Sequence, residues 1–365
     1  MRVSHLWLAD FRSYTSLDLT FPPGLTAIVG RNGQGKTNIL EAVAWLASMG
    51  SFRGAVNDSL VRDGASVAIA RAEVIAGERP TRIEAEIPRV GRSRVLVNGQ
   101  RLPRARDLVG HLRVTVFAPD DLALVKGPPS VRREWLDDVL VAVAPRNDRL
   151  RTEYERVLRQ RNALLKQAAG RLSADIEATL IVWDHKLATA GDALGVERAF
   201  TVDALVCLIA DAYGRIAAGG STRAPVAAHY DAPWREHGLA DALAVGRRDD
   251  IRRATTTVGP HRDDVVFSVD RLAVRTQRSQ GEQRSFALAL RLASHRHVEA
   301  MTTTTPVLIL DDVFSELDEH RSRALLAELP AVQTLLTSAI GVPEGVRPEL
   351  VIEIEGGRVV PRSVG

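Results

Sequence analysis

Apolar and polar residues alternate with a period of two in several stretches of the first 125 positions, among them 67–74, 82–87 and 94–97. Such alternation predicts half-buried strands. The last stretch runs into Asn98-Gly99, a pair suited to the positive φ angles of a two-residue hairpin turn. Leu25-Thr26-Ala27-Ile28-Val29 reads differently: it is an unbroken apolar run after Pro22-Pro23-Gly24, as a strand covered on both faces requires. Pro306-Val307-Leu308-Ile309-Leu310 repeats that pattern and ends in Asp311-Asp312. Helical spacing appears at 38–46, and again at 148–169, where Leu150, Tyr154, Val157, Leu158, Leu164 and Leu165 come close to one stripe. At about 1.5 Å per residue that helix is roughly 33 Å long. Segments 174–194 and 201–218 predict further helices, 285–293 an apolar one, and 350–354 with 358–360 a closing edge hairpin. The reading is an α/β fold: a first lobe over 1–125, an inserted α-helical lobe over 126–246, and a return to the first lobe over 247–365.

A chain of 365 residues has room for about two domains, or for one with a large insertion. Its 45% apolar and 25% charged residues exclude a disordered or fibrous class. The formal net charge of +3 is too small to announce a nucleic-acid partner. Only Lys36, Lys126, Lys166 and Lys186 are lysines, against 44 arginines, so a single arginine carries little weight. Cys207 is the one cysteine, which excludes an intrachain disulfide and a Cys-rich zinc site. No signal-peptide pattern follows Met1, and nowhere do 18 uncharged apolar residues run together; a cytoplasmic protein without a membrane span is expected.

The strongest local signal is Gly30-Arg31-Asn32-Gly33-Gln34-Gly35-Lys36-Thr37, a full G-x-x-x-x-G-K-[ST] match between a strand and a helix, with Asn38 next in line. Glycines let backbone N–H groups converge on phosphate oxygens, and the helix N-terminus adds partial positive charge. Lys36 would reach the β- and γ-phosphates and Thr37 would hold Mg²⁺. At the end of its own buried strand, Asp311 would orient the Mg²⁺ and Asp312 would polarise the attacking water. Gly30 and Asp311 stand 311 − 30 = 281 residues apart, so something is inserted between them. No Asn-Lys-x-Asp run argues for guanine, which leaves ATP as the expected nucleotide.

Between these sites lies Ser279-Gln280-Gly281-Glu282-Gln283-Arg284 at the head of an apolar helix, and Ser315-Glu316-Leu317-Asp318 follows Asp312. Together they resemble the head domains of ABC-type ATPases that include the SMC proteins. Further runs narrow the resemblance to the RecF family: 8–14, Phe117-Ala118-Pro119-Asp120-Asp121-Leu122, Val125-Lys126-Gly127-Pro128-Pro129, 159–165 and Gly259-Pro260-His261-Arg262-Asp263-Asp264. They span nearly the whole chain in family order. The resemblance implies an ATP-dependent homodimer in which nucleotide held by Lys36 and Thr37 of one copy is completed by Ser279, Gly281 and Gln283 of the other. It implies slow, DNA-dependent hydrolysis that acts as a release timer. Asp312 stands where many ABC ATPases carry the longer Glu, and Thr337-Ser338-Ala339 stands where they place a switch His. The family's expected roles are DNA replication, DNA repair and the SOS response, with RecR and RecO helping RecA load on gapped or single-stranded DNA.

From 146 to 171 eight basic residues (Arg146, Arg149, Arg151, Arg156, Arg159, Arg161, Lys166, Arg171) face three acids. The residues alone read more plainly as a solvated helix face, and no base-reading module is visible. With the resemblance, Arg149, Arg156 and Arg159 become candidate DNA-backbone contacts. Two other classes stay open on the residues: a short-armed ATPase of this type whose partner is a protein, and a metabolic P-loop kinase. The kinase has no use for the signature run and should not dimerise on ATP.

Overall fold

The computed structural model describes residues 1–77, 80–168, 170–171, 173–217 and 225–360. Its strands in chain order are β1 (Arg2–Phe11), β2 (Tyr14–Thr20), β3 (Leu25–Val29), β4 (Val67–Ile75), β5 (Pro80–Pro88), β6 (Arg94–Val97), β7 (Gln100–Arg101), β8 (Val114–Phe117), β9 (Val226–Asp231), β10 (Asp264–Val269), β11 (Leu272–Ala273), β12 (Val307–Asp311), β13 (Thr334–Ser338), β14 (Leu350–Glu355) and β15 (Arg358–Val360). The helices of ten residues or more are α1 (Lys36–Ser48), α2 (Pro129–Val143), α3 (Asp148–Ala168), α4 (Ala174–Ala217), α5 (Leu239–Arg253), α6 (Gln280–Met301) and α7 (Glu319–Glu328).

Two compact units emerge. The first comprises Met1–Asp121, Asp211–Arg223 and Arg284–Gly365; the second comprises Leu122–Ala210 and Ala224–Gln283. In the first, the antiparallel sheet β2-β1-β4-β5-β6-β7 turns the alternating residues of β4 (Ala68, Ala70, Ala72 and Val74, all 0% exposed) toward the core that also holds α1. Its fellow sheet, β15-β14-β3-β13-β12-β8, is parallel except for β15 at the edge. Every residue of β12 and of β13 is buried, which is why β12 reads as a run without alternation. Fully burying one Leu- or Ile-sized side chain stabilises by about 1.5–3 kcal/mol. Trp45, Ile39, Leu40 and Leu46 place that stabilisation directly behind the loop that precedes α1.

The second unit departs from the expected insertion in two ways. It extends to Gln283 instead of closing near 246, because β10 pairs antiparallel with β9 and ties 264–269 to 226–231. It also holds the three-stranded sheet β11-β10-β9, so it is not wholly helical. The two expected helices after residue 174 are one 44-residue helix, α4. Gly195 does not break it but admits Trp234, whose ring would lie 2.7 Å from an added Cβ. The expected end of that helix at 218 lies outside the described residues. Among the described residues no helix is long and apolar enough to cross a membrane.

Candidate functional site

The turn 30–35 joins β3 to α1, as the motif requires. Two of its glycines are sterically obligatory. Gly30 has φ +149°, and a Cβ there would lie 2.3 Å from the Ile354 carbonyl oxygen of β14. Gly35 has φ +104°, and a Cβ would meet Ser13 Oγ at 2.8 Å and the Tyr14 hydroxyl at 3.0 Å. The hairpin turn between β1 and β2 thus presses against the loop from below. Tyr14 donates to the Gly35 carbonyl at 3.1 Å, and the Asn38 amide donates to Ser13 Oγ at 3.0 Å. Arg12 grips Glu41 of α1 with two bonds of 2.7 and 2.8 Å. Gln34 accepts from the Gly356 N–H at 2.5 Å, while Arg31, Asn32 and Gly33 form the exposed tip.

Lys36 is the first residue of α1 and only 6% exposed. Its ammonium donates to the Arg31 carbonyl at 2.9 Å. Burial lowers its pKa, and the charges of Asp312 and Asp311 oppose that shift. The two acids therefore lie within electrostatic reach of this lysine, although they are 275 and 276 positions away in the chain.

Asp311 is the junction of the site. Its Oδ1 accepts from the Thr37 hydroxyl and from the Thr337 hydroxyl, each at 2.7 Å. Thr337 Oγ1 in turn accepts the Asp312 N–H at 3.0 Å. Burial raises the Asp311 pKa; the two hydroxyls and the nearby Arg53 charge counter it. Thr337, noted in sequence only as standing in the place of a switch His, acquires its role here as a partner of Asp311. It lies beside Asp311 because β13 runs parallel to β12 in that register. The signal available in sequence was a Thr-Ser pair after Leu335-Leu336. One hydroxyl and one carboxylate at a loop designed for phosphate are a fitting donor set for Mg²⁺, which takes few protein ligands and completes its shell with waters and phosphate oxygens. No group of three or more His, Cys, Asp or Glu side chains among the described residues could hold a metal by itself.

Asp312 sits in the left-handed region (φ 49°, ψ 27°) and opens the short turn Val313–Glu316. The Ser315 hydroxyl donates to its carbonyl at 2.7 Å. Asp318 caps α7 by accepting the Arg321 N–H at 2.8 Å. Arg284 of α6 holds this loop through the Glu316 carbonyl and carboxylate, both at 3.1 Å, and Arg321 donates to Ser285 Oγ at 3.1 Å. The loop after the second acid is therefore pinned to the signature helix of the same chain.

The signature residues divide by role. Ser279 and Gln280 are exposed at the start of α6, with Gly281 half-buried beside them. Ser279 forms a capping box: its hydroxyl donates to Glu282 Oε2 at 2.6 Å, its N–H donates to the same oxygen at 2.9 Å, and Glu282 N–H returns to Ser279 Oγ at 3.3 Å. That hydroxyl bond, more than any other cause, holds the Glu282 carboxyl below its ordinary pKa. Gln283 corrects the expectation that it reaches nucleotide. It is 4% exposed, and its amide donates to the Val274 and Arg275 carbonyls at 3.0 Å each, which fixes the preceding turn instead.

On α3, Arg149, Arg156 and Arg159 are all exposed. Arg156 pairs with Glu153 at 2.6 Å and Arg159 with Glu155 at 4.0 Å. Arg161, counted with them in the basic stretch, is interior: it is 0% exposed and bound to Asp184, Asp250 and Thr256.

Comparison with known proteins identifies the family. The RecF/RecN/SMC N-terminal domain family matches residues 2–337. A DNA replication and repair protein RecF of Streptomyces avermitilis is 45% identical over 93% of this chain and 94% of its own. That of Acidothermus cellulolyticus is 42% identical over 94% and 95%. A solved structure of the recombination mediator protein RecF with ATP, in the RecFOR pathway, superimposes with a TM-score of 0.91 at 28% identity and covers 99% of this chain and 97% of that one. An Smc head bound to the C-terminal winged helix of ScpA shares the fold at a TM-score of 0.60 and 17% identity, covering 100% and 98%. The matched span includes the glycine loop, the acidic strand end and the signature run, and the chain belongs to the RecF/RecN/SMC N-terminal domain family, as one of its RecF-type members.

Proposed function

We propose that this chain is an ATP-operated switch of DNA replication and repair. In this reading 30–38 bind the triphosphate of ATP, and Thr37 and Asp311 hold Mg²⁺. Ser279 and Gly281 of a second copy close the site, so that dimerisation follows the nucleotide. The observation that carries the reading is the shared oxygen of Asp311, which joins the loop threonine to the acidic strand. Bound Mg²⁺ would neutralise charge on the β- and γ-phosphate oxygens. Lys36 stabilises the same charge, and Asp312 orients the attacking water. Hydrolysis is slow and releases the dimer. DNA with single-stranded gaps or duplex junctions is the substrate surface, with Arg149, Arg156 and Arg159 as backbone contacts. RecR, RecO and RecA are the partners, and the response to DNA damage, including SOS, is the setting.

Size-exclusion chromatography of Asp312→Asn, with ATP and then ADP, tests the reading, repeated with gapped DNA present. The variant should run as a dimer with ATP and as a monomer with ADP, since it binds but hydrolyses at least about tenfold more slowly. Monomers under both nucleotides would favour a P-loop kinase.

Thr337 should matter to turnover without touching substrate. Its hydroxyl holds Asp311 and Asp312 together, so Thr337→Val leaves the Asp312 N–H unpaired at a cost of about 1–3 kcal/mol. The expected result is a kcat about tenfold lower, a raised Mg²⁺ requirement, little change in KM for ATP, and recovery in Thr337→Ser. Steady-state ATPase assays across a Mg²⁺ titration read all four.

A further inference from the structure

The run 259–264 plays no part in the nucleotide site, yet it is the most heavily tied turn of the second unit. Asp264 takes two bonds from Arg132, at 2.7 and 2.8 Å. The Asp263 carboxylate, 3% exposed, accepts from the Tyr230 hydroxyl at 2.5 Å and from the Trp234 indole at 2.7 Å. His261 lies between the Tyr154 hydroxyl at 2.7 Å and the Thr256 carbonyl at 3.0 Å. Arg198 donates to the Pro260 carbonyl at 2.7 Å while gripping Asp137 twice at 2.8 Å. Gly259 has φ +120°, and a Cβ there would be 2.8 Å from the Tyr154 hydroxyl. A buried network so fully paired holds one geometry.

Two guanidinium groups are left over. Arg262 is exposed and makes only a long 3.4 Å contact to the Thr256 carbonyl. Arg133 donates to the Asp263 carbonyl at 2.7 Å. Neither has a described carboxylate oxygen within ion-pair distance, although the charges of Asp264, Asp263 and Asp137 act on Arg133. Burial pushes His261 down to about 4, so its ring adds no charge at neutral pH. Arg132 and Arg133 of α2 and Arg198 of α4 thus converge on the turn, and Arg262 is the exposed guanidinium on the turn itself. Guanidinium forks match phosphate oxygens well, and a turn that is already ordered loses little entropy on binding.

We propose that Arg262 is an anion subsite that takes one phosphodiester group of a nucleic-acid backbone. This rests on the DNA-binding reading above and adds a residue from a turn that packs against α3 through Tyr154.

Fluorescence anisotropy with a gapped duplex, titrated at several salt concentrations, tests it on the full chain with ATP. Arg262→Glu should weaken binding about fivefold or more near 0.15 M salt and flatten the log–log salt slope by about 0.9. Arg262→Lys should retain most of the affinity, and both variants should keep the wild-type thermal midpoint. If Glu disturbs the turn, Arg262→Gln should still show the flattened slope. Wild-type affinity and slope in the variants, with wild type binding normally, would overturn the subsite alone. Failure of wild type to bind would overturn the DNA reading and the subsite with it. Arg262-dependent binding of inorganic phosphate with an unchanged DNA slope would make this a free-phosphate site and overturn the nucleic-acid assignment.

Discussion

Lys36→Met is expected to abolish ATP binding, dimerisation and retention on DNA in one step. The ammonium is buried at the first turn of α1, beside the glycine loop and within the field of Asp311 and Asp312. Methionine fills nearly the same volume, so the packing of Ile39, Leu40 and Trp45 behind it is undisturbed. What is lost is charge. Each hydrogen bond to a charged group contributes about 1.5–3 kcal/mol, and two such bonds to the β- and γ-phosphates amount to about 3–6 kcal/mol. That corresponds to a fall in nucleotide affinity of about 10²- to 10⁴-fold. Calorimetric titration with ATP reads the first effect, chromatography the second and electrophoretic retention the third. A variant that lost ATP but still held DNA would show that DNA binding is not governed by nucleotide.

The phosphate loop and the acidic strand end were legible because each is contiguous. The loop's chemistry is carried by eight neighbouring residues, and Asp311-Asp312 closes a run with no polar interruption. Thr337 was not legible in the same way. Its role exists only because β13 lies between β3 and β12, which sets Thr337 opposite Asp311 and within reach of Thr37's partner oxygen. Strand order of that kind has no local signature. The second unit misled for a related reason. β9 is Val226-Ala227-Ala228-His229-Tyr230-Asp231, with small residues and weak alternation, and only pairing with β10 makes it a strand. Gly195, just past the expected helix end at 194, is interior to α4, where it admits Trp234, whereas glycine in sequence reads as punctuation. Arg161 looked like part of a basic face, yet the same helical period that exposes Arg156 and Arg159 carries it inward to Asp184 and Asp250.

The structure also gives the signature run a mechanical connection. Arg284 joins α6 to the loop that follows Asp312, and Arg321 returns a bond to Ser285. A ligand at the start of α6 would therefore act on a helix that is already bonded to the acid loop of its own chain.

Ser279→Arg is expected to leave ATP affinity within about threefold of wild type while eliminating the ATP-dependent dimer. Ser279 is exposed and belongs to the second unit, whereas the residues proposed to hold the triphosphate belong to the first. A role in trans thus separates binding from assembly. The capping box complicates the substitution, because losing a serine N-cap costs about 0.5–2 kcal/mol of helix stability. Ser279→Ala removes the cap without adding bulk and serves as the control. If fraying alone were responsible, Ala and Arg would impair dimerisation equally. If the serine meets a phosphate of the other copy, Ala should weaken the dimer by about tenfold, the loss of one charge-assisted bond, while Arg should block it by bulk. The serine hydroxyl is already given to Glu282, whose carboxylate Arg278 partly neutralises at 3.1 Å. A triphosphate must compete for that hydroxyl, which favours closure only with the most highly charged nucleotide. Sedimentation velocity with ATP and ADP decides the matter, and a Ser279→Arg dimer of wild-type stability would remove the shared pocket altogether.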